Sequence, residues 1–232
     1  MLSPYRVLDI TTERGLLCGQ ILGDLGADVI KVEPPGGSPA RQLGPFYQDQ
    51  SHPDRSLYWW SYNRNKRSIT LNLESPDGQA LFRRLVASAH FLIESDTPGV
   101  LARHGCGYAD LATLNPALVY VSITPFGQDG PKANYAESDL VVLAAGGPLI
   151  LTGDEDRAPV RVSVPQAYLH ASGQAAVAAL IAHHERQRSG QGQHVDVSAQ
   201  QAVAQATQSS ILAAPLGDRD YERLAGGVKM GP

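Results

Sequence analysis

A glycine-bearing turn directly after a strand-like run is the first place where residue type and spacing could do chemistry. Arg6-Val7-Leu8-Asp9-Ile10 leads into Thr11-Thr12-Glu13-Arg14-Gly15-Leu16-Leu17-Cys18-Gly19. A dinucleotide site would place Gly-x-Gly-x-x-Gly here. The spacing differs, so binding of NAD or FAD is not expected. An anion still suits the position, because a turn that opens a helix presents unpaired backbone N–H groups. Other reactive side chains are scattered. His183 and His184 point about 100° apart on a helix and make no metal pair. Cys18 and Cys106 lack a metal spacing and fix no disulfide. Two reduced, buried thiols in a cytosolic protein are the expectation. Trp59-Trp60 reads as core rather than a stack for a base. Lys66-Arg67 reads either as basic charge beside a ligand or as a solvated pair at a strand start. Asp154-Glu155-Asp156 reads as a solvated loop, and Gly190-Gln191-Gly192 as a tight turn into a strand.

The elements that must position these residues follow from hydrophobic patterning. Arg6 to Ile10 is a buried strand, and Leu16 to Leu25 a helix with Leu16, Leu17, Ile21, Leu22 and Leu25 at helical spacing. Gly26 is its stop, and Asp28 to Val32 the next strand. Strand, helix, strand predicts a parallel pair. Glu33 to Tyr58, rich in Pro, Gly and Ser, reads as a long functional loop. Arg67 to Leu73 is a strand. Ser75 then caps a helix with Pro76 at its first position and Ala80, Leu81, Leu85 and Val86 as its buried stripe. Further strands fall at Phe91 to Ile93, Leu118 to Ser122 and His194 to Ser198. Helices fall at Gln166 to Gln187 and Ala199 to Ala213. This alternation predicts an α/β fold: a doubly wound, mostly parallel, Rossmann-like sheet. Leu224 to Pro232 is expected to hold neither helix nor strand.

The totals agree with a packed soluble chain. There are 232 residues, 43% of them hydrophobic, with a net charge of −4. That balance gives no electrostatic case for nucleic acid or a membrane surface. No apolar run approaches the roughly 20 residues that span a bilayer. No basic-then-apolar leader opens the chain, and a cytoplasmic location is expected.

The order of several motifs carries a resemblance. Gly23-Asp24-Leu25-Gly26-Ala27-Asp28-Val29-Ile30-Lys31-Val32-Glu33-Pro34-Pro35-Gly36-Gly37 is followed by Asn63-Arg64-Asn65-Lys66-Arg67-Ser68-Ile69. Pro98-Gly99-Val100-Leu101 and Asn115-Pro116-x-Leu118-Val119-Tyr120 come next, then Phe126-Gly127-Gln128-x-Gly130-Pro131. This series resembles the family III CoA-transferases, the carnitine- and formyl-CoA-transferase group. It covers nearly the whole chain but only the first half of the family's length. The resemblance implies a Rossmann-like large domain over 1–198, with 199–232 a helix and linker leading to a second domain. It implies coenzyme A as ligand, without a metal, and an acyl-CoA and an organic acid as substrates. Arg14, Gly15, Arg41, Leu71, Ser95 and Arg103 fall where the family contacts CoA. Cations and backbone N–H donors are what its phosphates require.

The chain also departs from the family pattern. In the family a Pro-x-x-Asp opens a helix about twenty residues before Gly-x-Gly-Gln-x-Val, and that aspartate carries the acyl group. Here Pro165-Gln166-Ala167-Tyr168 precedes Gly190-Gln191-Gly192-Gln193-His194-Val195, so Tyr168 occupies the nucleophile slot. Glu13-Arg14 replaces a polar-to-small pattern in the first turn, Ser95-Asp96 the usual Asn-aromatic pair, Glu74 a Lys and Leu143 a Gln, while Asp139 is kept. A phenol has an unperturbed pKa of about 10 and cannot become the acyl half of a CoA thioester. Tyr168 is therefore expected to be inactive, an aromatic plug. Glu137 and Asp139 are the nearest substitute carboxylates by motif order, and His170 reads as a structural hydrogen-bonder. The pattern resembles the aspartate-less subunit type of the benzylsuccinate CoA-transferases. A homodimer, or a heteromer with an aspartate-bearing homologue, is expected rather than a stable monomer. A non-catalytic CoA-binding or structural homologue is the alternative, and an active homodimer using another residue the third.

Overall fold

Short apolar runs bounded by turns form one parallel sheet in the computed structural model, which describes residues 1–217, 222–224 and 227–229. The chain order is β1 (Arg6–Asp9), α1 (Leu16–Asp24), β2 (Asp28–Glu33), α2 (Leu57–Tyr62), β3 (Lys66–Thr70), α3 (Pro76–Val86), β4 (Phe91–Glu94), α4 (Val100–Arg103), α5 (Tyr108–Leu114), β5 (Val119–Thr124), α6 (Asp139–Gly146), α7 (Ala167–Ser189), β6 (Gln193–Ser198), α8 (Ala199–Ala206), α9 (Gln208–Gly217), β7 (Glu222–Leu224) and β8 (Gly227–Lys229). The first six strands lie in the order β3-β2-β1-β4-β5-β6, all parallel. This is the doubly wound arrangement, and its direction reverses between β1 and β4. Ligands of such sheets bind in the crevice outside the strand ends at that point.

Side chains alternate between the two faces of each strand, which splits the core in two. Val7, Phe91, Val121 and Ile123 face one side, under α1, α6, α7 and α8. Leu8, Leu92, Leu118 and Tyr120 face the other, under α3 and α5. α7 lays Ala171, Ala175, Ala179 and Ala182 against the sheet, small residues that let the helix approach closely. Gly190 closes α7 at φ +74°, and a Cβ on Gly192 would lie 2.0 Å from the Leu118 carbonyl oxygen. Both glycines of that turn are thus required by geometry.

Several expectations are corrected. The buried stripe of α3 is Gly78, Phe82 and Val86, with Leu85 partly buried, while Ala80 and Leu81 face solvent. Phe82 offers more apolar area than Ala80 and sets the helix rotation. β3 stops at Thr70, so Leu71 and Leu73 pack on the core from a loop. The Glu33–Tyr58 stretch holds three short 3₁₀ turns, at Pro39–Gln42, Tyr47–Asp49 and Pro53–Arg55, and the start of α2. The expected helix from Ala199 to Ala213 breaks at Thr207 into α8 and α9. In the closing stretch, β7 and β8 pair antiparallel where no strand was expected, and Arg223 donates to the carbonyls of Ile150, Asp154 and Arg157. Residues 225–226 and 230–232 of that stretch lie outside the described residues. Among the described residues, no helix is long and apolar enough to cross a membrane.

Candidate active site

Asp9 closes β1 fully buried and organises the turn that follows. Its Oδ1 accepts from the Thr11 N–H at 3.0 Å, the Thr11 hydroxyl at 2.7 Å and Lys31 Nζ at 3.1 Å. Its Oδ2 accepts from Lys66 Nζ at 2.8 Å. Burial opposes the carboxylate charge, but the two ammonium groups overcome it and hold Asp9 well below the usual carboxylate range. Burial pulls Lys31 down, and Asp9 partly restores it. Lys66 also donates to the Leu16 carbonyl at 2.7 Å and Asn63 Oδ1 at 3.0 Å. The expected Lys66-Arg67 pair thus divides: the Lys66 side chain is fully buried and Arg67 is exposed beside Asp28.

A second charged group lies at the end of β2. Arg41 grips Glu33 with two bonds, Nε to Oε2 at 2.6 Å and Nη2 to Oε1 at 2.8 Å, and Ser68 and the Ser38 N–H complete the set. Burial works against the Glu33 charge, yet these donors lower its pKa to about 2. The Arg41 guanidinium stacks 4.1 Å from the Trp59 ring centroid. Trp59 is core, as expected, but Trp60 is 43% exposed and donates to the Asp54 carbonyl.

Tyr168 sits in the first turn of α7, buried, and its hydroxyl donates to Glu137 Oε2. The other oxygen of Glu137 is 2.5 Å from Arg14 Nη2, and the Arg14 guanidinium lies 5.9 Å from the Tyr168 ring centroid. Burial, then the hydrogen bond to the Glu137 carboxylate, pushes the phenol far above its ordinary pKa, so its proton stays. Asp139 Oδ1 accepts from the Ala167 N–H at 2.9 Å and fixes the start of α7. Its buried Oδ2 makes no hydrogen bond, with Arg161 Nε 3.8 Å away. His170 is exposed on the next turn and its N–H stays within the helix ladder.

Over β4, β5 and β6, on the side covered by α4 and α5, lies a cavity of about 90 Å³, lined in part by Glu94, Asp96, Tyr108, Ser122, Gln128 and His194. Burial raises Glu94 to about 7, with the Ser122 hydrogen bond opposing. Gln128 Nε2 is buried there without a partner. His194 Nε2 lies 2.8 Å from the Ser122 hydroxyl, and burial lowers its pKa.

The residues expected to meet a ligand fall into groups. The turn with Arg14 and Gly15 faces Ser95, whose hydroxyl accepts from the Thr12 N–H at 2.9 Å. Leu71 donates its N–H to the Glu33 carbonyl at 2.8 Å and so lies beside the Arg41 group. Arg103 is exposed at the end of α4. His183 is buried and bonded to Arg186, while His184 faces solvent. Among the described residues, no group of three or more His, Cys, Asp or Glu side chains is arranged to hold a metal.

A family model described as CoA-transferase family III matches residues 2–229. The chain belongs to that family. It is 42% identical over 212 residues to the succinyl-CoA–D-citramalate CoA-transferase of Chloroflexus aurantiacus, covering 90% of this chain and 52% of the relative. It is also 42% identical over 208 residues to the BbsE subunit of the succinyl-CoA:(R)-benzylsuccinate CoA-transferase of Thauera aromatica, covering 90% of this chain and 51% of the relative. A crystal structure of a CAIB/BAIF family protein from Brucella suis superposes with a TM-score of 0.89 at 34% identity, over 95% of this chain and 59% of that one. The chain spans about half the length of the curated relatives it matches.

Within this family III chain, Lys31 and Asp9 escaped the sequence reading because both lie inside apolar strand runs. Glu33 sat inside the quoted N-terminal motif, and its tie to Arg41 only eight positions on was a usable signal. The tie from Glu137 to Arg14 and Tyr168 joins three separate segments and left no local pattern.

Proposed function

We propose that this chain is the non-nucleophilic subunit of a CoA-transferase heteromer, moving CoA between an acyl-CoA and an organic acid. The observation that carries the reading is Tyr168 in the aspartate slot, buried with its proton held by Glu137. The transfer needs a carboxylate. It attacks the thioester carbonyl, the C–S bond breaks, and CoA thiolate leaves behind a mixed anhydride. The thiolate then takes the enzyme carboxyl, releasing the first acid, and the second acid reverses both steps. A phenol acylated at its oxygen offers no carbonyl of its own for the thiolate. An aspartate-bearing homologue supplies that group in this reading. The Thauera relative, named as a subunit of its enzyme, is in keeping with it.

This chain would contribute CoA contacts through the Arg14-Gly15 turn, Leu71, Ser95, Arg41 and Arg103. Arg41 already spends most of its charge on Glu33, so exposed Arg103 is the freer cation for a phosphate. Residues 1–198 would form the CoA-facing domain, and 199–232 would lead into the remainder of the subunit. Two free, buried cysteines fit a reducing compartment, and we place the protein in the cytoplasm.

The test is co-expression with an aspartate-bearing family III homologue from the same genome and an assay of CoA transfer from succinyl-CoA to a second acid. Transfer by the pair, abolished when the partner's aspartate is replaced, supports the proposal. Transfer by this chain alone, with a hydroxylamine-sensitive acyl group on it, overturns it. CoA binding without transfer in any pairing supports the non-catalytic alternative.

A further inference from the structure

We propose that the Arg14 guanidinium and the Tyr168 hydroxyl form a receptor for the carboxylate of the acid substrate, and that Glu137 is its built-in, displaceable occupant. The inference rests on the chain's working in CoA transfer, and it assigns the Arg14 side chain to the acid while the backbone of its turn serves CoA.

Three observations support it. The donor set is complete for a carboxylate: a guanidinium 2.5 Å from one oxygen of Glu137 and a phenol donating to the other. A charged donor and a neutral one, aimed at the two oxygens of one group, is a carboxylate-recognition geometry. The pair is also within reach of solvent, with side-chain exposures of 27% for Arg14 and 10% for Glu137. Finally, the two donors lie on segments with hydrogen bonds of their own, and Glu137 lies one residue before the Ser138 cap of α6. Arg14 lies on the turn organised by Asp9, and Tyr168 lies on α7, whose start is held by Asp139 through the Ala167 N–H at 2.9 Å. Glu137 lies in the stretch between β5 and α6, which forms neither helix nor strand.

Exchange of Glu137 for an external carboxylate preserves the bonds to Arg14 and Tyr168, and Glu137 moves out to water. The tethered carboxylate therefore competes with the ligand, and the apparent dissociation constant rises by the inverse of the fraction in which the site is open. Removing the charge of Glu137 should tighten acid binding, which is opposite in sign to the loss of an ordinary contact.

The experiment is calorimetric titration of succinate into the full chain, into Glu137→Gln and into Arg14→Gln, with dimethyl succinate as the uncharged control and CoA titrated separately. Thermal unfolding checks that each variant is folded. The proposal expects Glu137→Gln to bind succinate about tenfold more tightly than the parent. It expects Arg14→Gln to lose at least about tenfold, and dimethyl succinate not to bind. If Glu137→Gln binds succinate equally or more weakly while CoA binding is intact, the receptor is refuted and the transferase reading stands. If the parent binds succinate in this pattern but not CoA, the receptor stands and the transferase reading falls.

Discussion

Lys66 Nζ lies 2.8 Å from Asp9 Oδ2 across 57 positions of sequence, with both side chains fully buried. The contact ties the end of β1 to the start of β3 over the intervening β2, where Lys31 joins it. One buried carboxylate thus holds two buried ammonium groups and the turn that opens α1.

Replacing Asp9 by Asn would leave Lys31 and Lys66 without their counter-charge. Breaking a buried pair in this way costs about 3–5 kcal/mol. Urea unfolding of Asp9→Asn should show a loss of that order with an unchanged m-value. A loss below about 1 kcal/mol would mean that the lysines are solvated, contrary to the geometry.

Gly19→Ala tests the same hub by size rather than charge. The new Cβ would come 2.3 Å from Asp9 Oδ2. Overpacking of this kind costs about 1–3 kcal/mol, more than alanine's better helix propensity returns. A midpoint equal to or above the parent's in thermal unfolding would contradict the packing described.

Glu94 should make stability fall as pH rises. Its folded pKa is raised by burial to about 7 from the ordinary glutamate value of 4.5, so the folded state binds the proton more tightly than the unfolded one. Its contribution is fully present below about pH 4.5 and is lost as pH climbs through 7, a span worth roughly 3 kcal/mol. Glu94→Gln keeps a neutral group and should flatten that slope, which denaturant melts between pH 5 and 8 would detect.

Glu33 should act in the opposite direction. Its folded pKa is lowered to about 2, so its contribution is present above about pH 4.5 and is lost as pH falls through 2. Arg41→Met removes the main donor. The Glu33 carboxyl should then titrate higher, and the acid-unfolding midpoint should move up by about half a pH unit or more. Carbon-detected NMR titration of the carboxyl would read the shift directly.

The sheet was legible because its four inner strands are largely apolar runs bounded by turn residues, and because Ser75-Pro76 signals a helix start by the chemistry of capping. Rotation of a helix was less so: Ala80 and Leu81 fit the period as well as Gly78 and Phe82, and only packing against Val86's neighbours decides between them. The break at Thr207 had no glycine or proline to announce it. In the site, the position of the Thr11–Gly15 turn between β1 and α1 could be read from spacing, and Tyr168 from motif order. Glu137 could be named as a nearby carboxylate but not joined to Arg14, because that contact depends on the path of an irregular segment. Buried lysines were hidden by the alternation that identifies strands, since Lys31 occupies a position that a valine would fill.

The two outer strands have a consequence for how another chain can meet this one. β3 reads Lys-Arg-Ser-Ile-Thr and β6 Gln-His-Val-Asp-Val-Ser, with Arg67, Ser68, Gln193, His194 and Asp196 exposed. Among the described residues, each border of the sheet thus ends in a strand flanked by polar and charged side chains, the arrangement that discourages strand-to-strand stacking of molecules. A neighbour that continued the sheet would have to strip water from those charges. Among the apolar side chains that reach the surface, Val177 and Ile181 stand on α7, above the sheet's face. Docking flat against the helical layer costs less desolvation than lengthening the ribbon, so the sheet is kept finite by its own margins.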